Sequence, residues 1–240
     1  MKKLLLILFV FCITTGQAQK PKVNIVNTLT PTEKAQGWHL LFDGKTLNGW
    51  KGFNTKAVPK NWSIEDNAMT CYGRGGDMGG DILTADKYDN FEFVVEWKIS
   101  KQGNSGIFYH VVEGKQYKNP YETGPEYQLI DDLGWPEKLE NWQQTGADYA
   151  MHPADNAQKN LHPVGKWNIS RIIFNKGHVE HWLNGKKIVE FQTWTADWNK
   201  KVQAGKFKEM PQYGKAKTGY IGLQNHGSPV CFKNIKIKKL

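Results

Sequence analysis

The segment Phe91-Glu92-Phe93-Val94-Val95-Glu96-Trp97-Lys98-Ile99 alternates strictly, with Phe91, Phe93, Val95, Trp97 and Ile99 on one side and mostly charged residues on the other. A period of two over a run this long describes a pleated strand with one buried face. On a helix the same five bulky side chains would be spread around the whole circumference. A strand of this kind needs partners at both edges and a second layer over its apolar face. The sequence supplies candidates. His181-Trp182-Leu183, then Asn184-Gly185, then Lys186 to Val189 reads as a hairpin, because Asn and Gly both tolerate the positive φ of a two-residue turn. Further strands are predicted at Trp38 to Phe42, Trp62 to Tyr72, Gly106 to Val112, Tyr127 to Ile130, Trp167 to Phe174, Gly219 to Gln224 and Val230 to Ile237. Asp43-Gly44, Glu65-Asp66-Asn67 and Asn175-Lys176-Gly177 punctuate them as turns. Helical periodicity is confined to Trp198 to Met210, and no internal repeat is visible. The pattern predicts an all-β, two-sheet antiparallel sandwich, with ten tryptophans to fill it. Asn119 to Asp155 is a long loop-rich region with Trp, Tyr, Pro and acids, and loops of that length in a compact domain usually carry function.

The N-terminus predicts export. Lys2 and Lys3 precede an apolar run from Leu4 to Ile13, and Gly16-Gln17-Ala18 offers the small residues of a cleavage site. Residues 1–18 are read as a signal peptide, 19–36 as an N-terminal extension and 37–240 as the sandwich domain. The apolar run is too short for stable membrane insertion, and Cys12 behind Phe11 does not resemble a lipid-attachment site. A periplasmic or secreted protein is expected. The formal charge of +9 is spread over scattered lysines, with a small cluster from Lys233 to Lys239. No basic face with interleaved aromatics appears, so nucleic acid is not an expected partner. Cys71 and Cys231 fall in predicted strands near opposite ends of the domain and are expected to be free thiols, although an oxidising compartment leaves a disulfide open.

Several strings, taken in order, carry a family likeness. They are Trp38-His39-Leu40-Leu41-Phe42-Asp43-Gly44-Lys45-Thr46-Leu47-Asn48-Gly49-Trp50, Asn104-Ser105-Gly106-Ile107-Phe108, Glu122-Thr123-Gly124-Pro125-Glu126-Tyr127-Gln128-Leu129-Ile130-Asp131-Asp132, Trp182-Leu183-Asn184-Gly185 and Gly222-Leu223-Gln224-Asn225-His226-Gly227. Together they resemble the 3-keto-disaccharide hydrolase domain family, and the likeness runs from about Trp38 to Leu240. The resemblance implies a concanavalin A-like jelly roll with a groove on one face. It also implies hydrolysis of a glycoside whose sugar carries a ketone at C3, and an upstream sugar oxidoreductase that makes that ketone.

Strand parity nominates site residues without reference to the family. If Tyr127 and Leu129 point into the core, Glu126, Gln128 and Ile130 face the other way. If Ile107, Tyr109 and Val111 pack inward, Asn104, Phe108 and His110 lie opposite. If Ile221 and Leu223 are core residues, Gln224 and His226 take the alternate face. Glu126, His226 and His110 are therefore the catalytic candidates. Gln128, Gln224, Asn104 and Arg74 are candidate hydroxyl or anion partners, and Trp142, Tyr149 and Trp135 are candidate ring platforms for a sugar. The Gly73 to Gly80 loop lacks the spacing and following helix of a phosphate cradle. Asp131 and Asp132 at a strand end begin a turn or hold a cation. No spacing demands a metal, so a divalent cation is left open.

Ordinary glycosidases need two carboxylates, and the strand Glu126-x-Gln128-x-Ile130 offers one. A 3-keto sugar needs only one base, because the ketone acidifies the C2 proton. Glu126 is expected to be that base and His226 the stabiliser or acid. A non-catalytic carbohydrate-binding module on the same fold is the alternative.

Overall fold

The computed structural model describes residues 26–73 and 80–240. Residues 1–18, read above as a signal peptide, with Cys12 among them, and Arg74 lie outside the described residues. In chain order the strands are β1 Trp38–Leu40, β2 Trp50–Gly52, β3 Trp62–Glu65, β4 Ala68–Cys71, β5 Ile82–Tyr88, β6 Phe91–Ile99, β7 Asn104–Val111, β8 Glu126–Ile130, β9 Asn168–Asn175, β10 His178–Leu183, β11 Lys186–Gln192, β12 Gly219–Leu223 and β13 Val230–Lys239. Among the described residues two helices, α1 Pro31–Ala35 and α2 Ala196–Ala204, complete the regular structure apart from two short 3-10 turns. The larger sheet runs β11-β10-β9-β6-β13-β4-β3, with β1 also paired to β13, and the smaller runs β2-β5-β12-β7-β8. The result is an all-β antiparallel jelly roll, and no helix among the described residues is long and apolar enough to cross a membrane.

The alternating segment Phe91–Ile99 is β6, near the middle of the larger sheet, and its predicted apolar face is buried. Asp66-Asn67 and Asn184-Gly185 adopt positive φ at both central positions, which is what two-residue turns between twisted strands require. β2 and β5 have no counterpart in the sequence reading. β5 lacks alternation because both of its faces are covered at one end: Ile82 enters the main core and Leu83 a second apolar cluster. Its Thr84 hydroxyl accepts the Ile221 N–H at 3.1 Å. The predicted helix begins earlier than expected, at Ala196, because the Thr195 hydroxyl accepts Trp198 N–H at 3.1 Å and caps it.

The main core lies between the sheets and is largely aromatic, with Trp97, Tyr109, Tyr127, Phe91, Phe93 and Phe174 buried in it. Two of its polar atoms are paired across it: Trp97 Nε1 donates to Ser170 Oγ at 2.8 Å and the Tyr127 hydroxyl donates to Trp182 O at 3.1 Å. The extension preceding β1 is tied down by Asn27, whose backbone and side chain exchange hydrogen bonds with Asn234 at 2.6 and 2.8 Å. Cys71 and Cys231 are neighbours on paired strands instead of lying at opposite ends of the domain. Val230 stands opposite Cys71 and Cys231 opposite Thr70, so the two thiols, one register step apart, face opposite sides of the sheet and are free.

Candidate functional site

The outer face of the smaller sheet carries the candidate site. Cross-strand register sets it up: Gly106 on β7 stands opposite Gln128 on β8, and Phe108 stands opposite Glu126. Gln224, just past β12, donates its backbone N–H to Gly106 O at 3.0 Å. Side chains on alternate residues of these strands leave the core and line a small cleft of about 110 Å³. Asn104, Tyr121, Glu126, Gln128, Tyr149, Lys206, Gln224 and His226 line it. The strand floor beside the cleft is apolar, formed by Leu83, Phe108 and Val111 with Phe53, Tyr121 and Tyr220 packed on them.

Glu126 dominates the electrostatics. Burial, opposed by Lys206 and reinforced by repulsion from Asp81 and Asp148, pushes its carboxyl up to about 8. Its room comes from Gly106: a Cβ there would sit 2.8 Å from the Glu126 carboxyl carbon and closer still to Oε1. Gly106→Ala is expected to fold but to displace the carboxyl, costing about 10²-fold in turnover, since misplacements near 1 Å carry that penalty. Wild-type steady-state rates in that variant would show that the glycine serves some other purpose. Gln128 Nε2 donates to Asn104 Oδ1 at 3.4 Å, and Gln224 Oε1 is buried with no partner among the described residues, ready to accept from a bound hydroxyl. Lys206 extends its ammonium over the Tyr149 ring at 4.3 Å and toward Tyr121 at 5.7 Å.

The candidates from sequence do not all meet here. Asn104, Glu126, Gln128, Tyr149, Gln224 and His226 share the cleft. His110 does not. β12 places only Ile221 between the partners of Phe108 and Val111, whereas β7 places Tyr109 and His110 there, so β7 carries a bulge with His110 at φ 54°. The extra residue resets the alternation. His110 turns to the core side, 4.1 Å from the Phe174 ring, and its Nε2–H donates to Asp89 O at 2.8 Å. Val111, expected inward, joins the outer cluster instead. Burial lowers the His110 pKa, as suits a neutral packed imidazole.

Trp142 stands behind Tyr149, edge to face at 5.5 Å, and does not line the cleft. Asp131 and Asp132 are turn and ion-pair residues outside it. Asp131 accepts from Gln102 N and Gly134 N at 2.8 and 2.9 Å, and Asp132 pairs with Lys159 Nζ at 2.7 Å. Trp135 follows in that same turn, its N–H donating to Asp131 O at 3.0 Å. Tyr121 and Lys206 escaped the sequence reading. Tyr121 lies inside the long loop flagged as functional, one residue before the Glu122 string. Lys206 follows α2 and no local pattern points to it.

Fold and cleft define a class, the jelly-roll domains that hold a polar cleft with a buried carboxyl on one sheet. Within it, the chain belongs to the 3-keto-α-glucoside-1,2-lyase-like domain family, whose profile matches residues 37–238. It is 39% identical over 232 residues to a 3-keto-disaccharide hydrolase of Bacteroides thetaiotaomicron, an alignment covering 86% of this chain and 79% of that protein. A crystal structure from Parabacteroides distasonis ATCC 8503, provisionally assigned as a glycosyl hydrolase, is 48% identical with a TM-score of 0.84, covering 90% of this chain and 100% of its own. A second structure from that organism, with the same provisional assignment, is 26% identical with a TM-score of 0.63, covering 85% of this chain and 99% of its own.

Proposed function

We propose that the chain is a glycoside-cleaving enzyme that acts on 3-keto-glycosides by C2 proton abstraction, elimination of the C1 substituent and hydration. The observation that carries this reading is Glu126. Among the described residues it is the one carboxyl lining the cleft, and burial has moved its pKa into the range of an effective base near neutral pH. A single such base suffices only if the substrate already bears an acidic proton, which the C3 ketone provides. His226 and the Lys206 ammonium are the groups available to the developing enolate oxygen. Gln128, Asn104 and Gln224 are suited to sugar hydroxyls, with Tyr149 and Tyr121 as ring walls. Family membership supports the same chemistry. The cationic and apolar N-terminus supports action outside the cytoplasm, and the substrate requires an upstream oxidation of a C3 hydroxyl.

The test is turnover of a 3-keto-glucoside beside its unoxidised parent, with and without chelator. Cleavage of the keto form alone is the expected result, and chelator sensitivity reads any metal requirement. Binding of both sugars with cleavage of neither would replace this reading with that of a carbohydrate-binding module.

A further inference from the structure

A second carboxyl occupies the same sheet face. Asp81 immediately precedes β5, and the β5–β12 register, in which Ile82 stands opposite Leu223, places Asp81 beside Gln224. Gln224 stands in turn beside Gly106, and Gly106 opposite Gln128. One cross-strand row therefore reads Asp81, Gln224, Gly106, Gln128, with the Glu126 carboxyl lying over the glycine. Asp81 is buried, and its Oδ1 accepts Asn225 N–H at 2.7 Å. No described residue donates to its other oxygen. The two acids and the Tyr121 phenol form one electrostatic group: burial does most to raise Glu126 and Tyr121, and the Asp81 charge adds to both. Burial pushes Asp81 up to about 7 against the pull of the Asn225 hydrogen bond, so near neutrality it passes between acid and carboxylate; Glu126, at about 8, holds its proton the more tightly, and the productive form is the minor one with the proton on Asp81 and Glu126 ionised.

We propose that Asp81 is a further catalytic residue, the general acid that protonates the departing C1 oxygen and then the base that activates water. The assignment rests on the elimination chemistry proposed above. In the first half, the Glu126 carboxylate takes the C2 proton and the C2–H electron pair becomes the enolate. That pair then forms the C1–C2 double bond as the C1–O bond breaks, and the leaving oxygen takes the Asp81 proton. Glu126 is now protonated, Asp81 ionised, and the sugar an enone. In the second half, Asp81 removes a proton from water as its oxygen bonds to C1, and Glu126 returns a proton to C2. Both acids regain their starting states, and no oxidant or reductant is consumed.

The experiment compares wild type with Asp81→Asn on two 3-keto-glucosides, one with an alkyl and one with a 4-nitrophenyl aglycone. Asparagine keeps an acceptor for Asn225 N–H, and melting curves check that the variant folds. Loss of a general acid is worth about 10²–10⁴-fold, so kcat on the alkyl glucoside is expected to fall by at least about 10²-fold. Single-turnover release of 4-nitrophenolate, which leaves without protonation and precedes the hydration step that also uses Asp81, should lose less than about 10-fold, with exchange of the C2 proton in D2O retained. Equal losses on both substrates, or none on the alkyl glucoside, would overturn the assignment. The elimination reading itself is judged separately, by C2 exchange and a C2-deuterium isotope effect in the wild type. A wild type inactive on both substrates overturns the two together.

Discussion

Glu126→Gln is expected to lower kcat on a 3-keto-glycoside by about 10²–10⁴-fold and, at pH 8 and above, to make the protein more stable. The first effect follows from removing the proposed base. The second follows from linkage. Glu126 has an ordinary value of 4.5 and is held at about 8 in the folded chain, with Lys206 opposing and Asp81 and Asp148 assisting the effect of burial. Between those two values the folded state binds more protons than the unfolded state, so this residue's contribution falls as pH rises from about 4.5 through about 8. Each pKa unit corresponds to about 1.4 kcal/mol, while an amide with an unsatisfied buried N–H costs about 1–3 kcal/mol. The net gain for the variant at alkaline pH is then on the order of 1–3 kcal/mol. Asp81 and Asp148 are raised by burial as well, to about 7 and about 6, so the variant keeps a shallower decline of the same sign. Melts from pH 5 to 9 check this. Wild-type turnover in the variant, or identical pH slopes in the two proteins, would remove Glu126 from its place.

Trp198→Ala is expected to cost about 3–5 kcal/mol of stability and to weaken substrate binding at a distance. Trp198 is the central plate of an aromatic ladder. Its ring is nearly parallel to Phe191 at 5.5 Å and Tyr213 at 6.1 Å, with interplanar angles of 7° and 6°. His152 stacks on Phe191 at 4.4 Å, and Phe207 stacks on Tyr213 at 3.6 Å. Asp148 anchors the His152 end, its Oδ2 lying 2.8 Å from Nδ1. Gly214, at φ 63°, lets the chain pass against Trp198, where a Cβ would come within 2.7 Å of the ring. Through Phe207 this ladder holds the segment after α2 against the sandwich, and the adjacent Lys206 reaches the cleft. Denaturant melts together with Kd for a sugar ligand test both consequences. Trp198→Phe, which keeps a plate in the ladder, should lose less of each. An alanine variant with the wild-type midpoint would show that the ladder does not hold the segment.

Much of the cleft follows from alternation. Glu126 and Gln128 flank Tyr127, a core residue, and Gln224 follows Leu223, another, so a period of two was enough to place all three on the outer face. The same arithmetic failed at His110, because a bulge inserts one residue and exchanges the faces beyond it. Nothing in Phe108-Tyr109-His110-Val111 marks that insertion. It becomes visible only against the shorter path through Gly222 and Ile221 on β12.

By itself the sequence determined what short-range physics controls: the strand periods, the left-handed turns at Asp66-Asn67 and Asn184-Gly185, the two-layer sandwich they demand, and the outward parity of Glu126. Tertiary structure decided what depends on distant partners. It brought Lys206 and Tyr121 to the cleft, set Asp81 in the row with Gln224, and turned His110 into the core. It also set the proton affinity of Glu126, since desolvation and charge are properties of everything packed around a group, and that packing exists only when segments far apart in the chain meet.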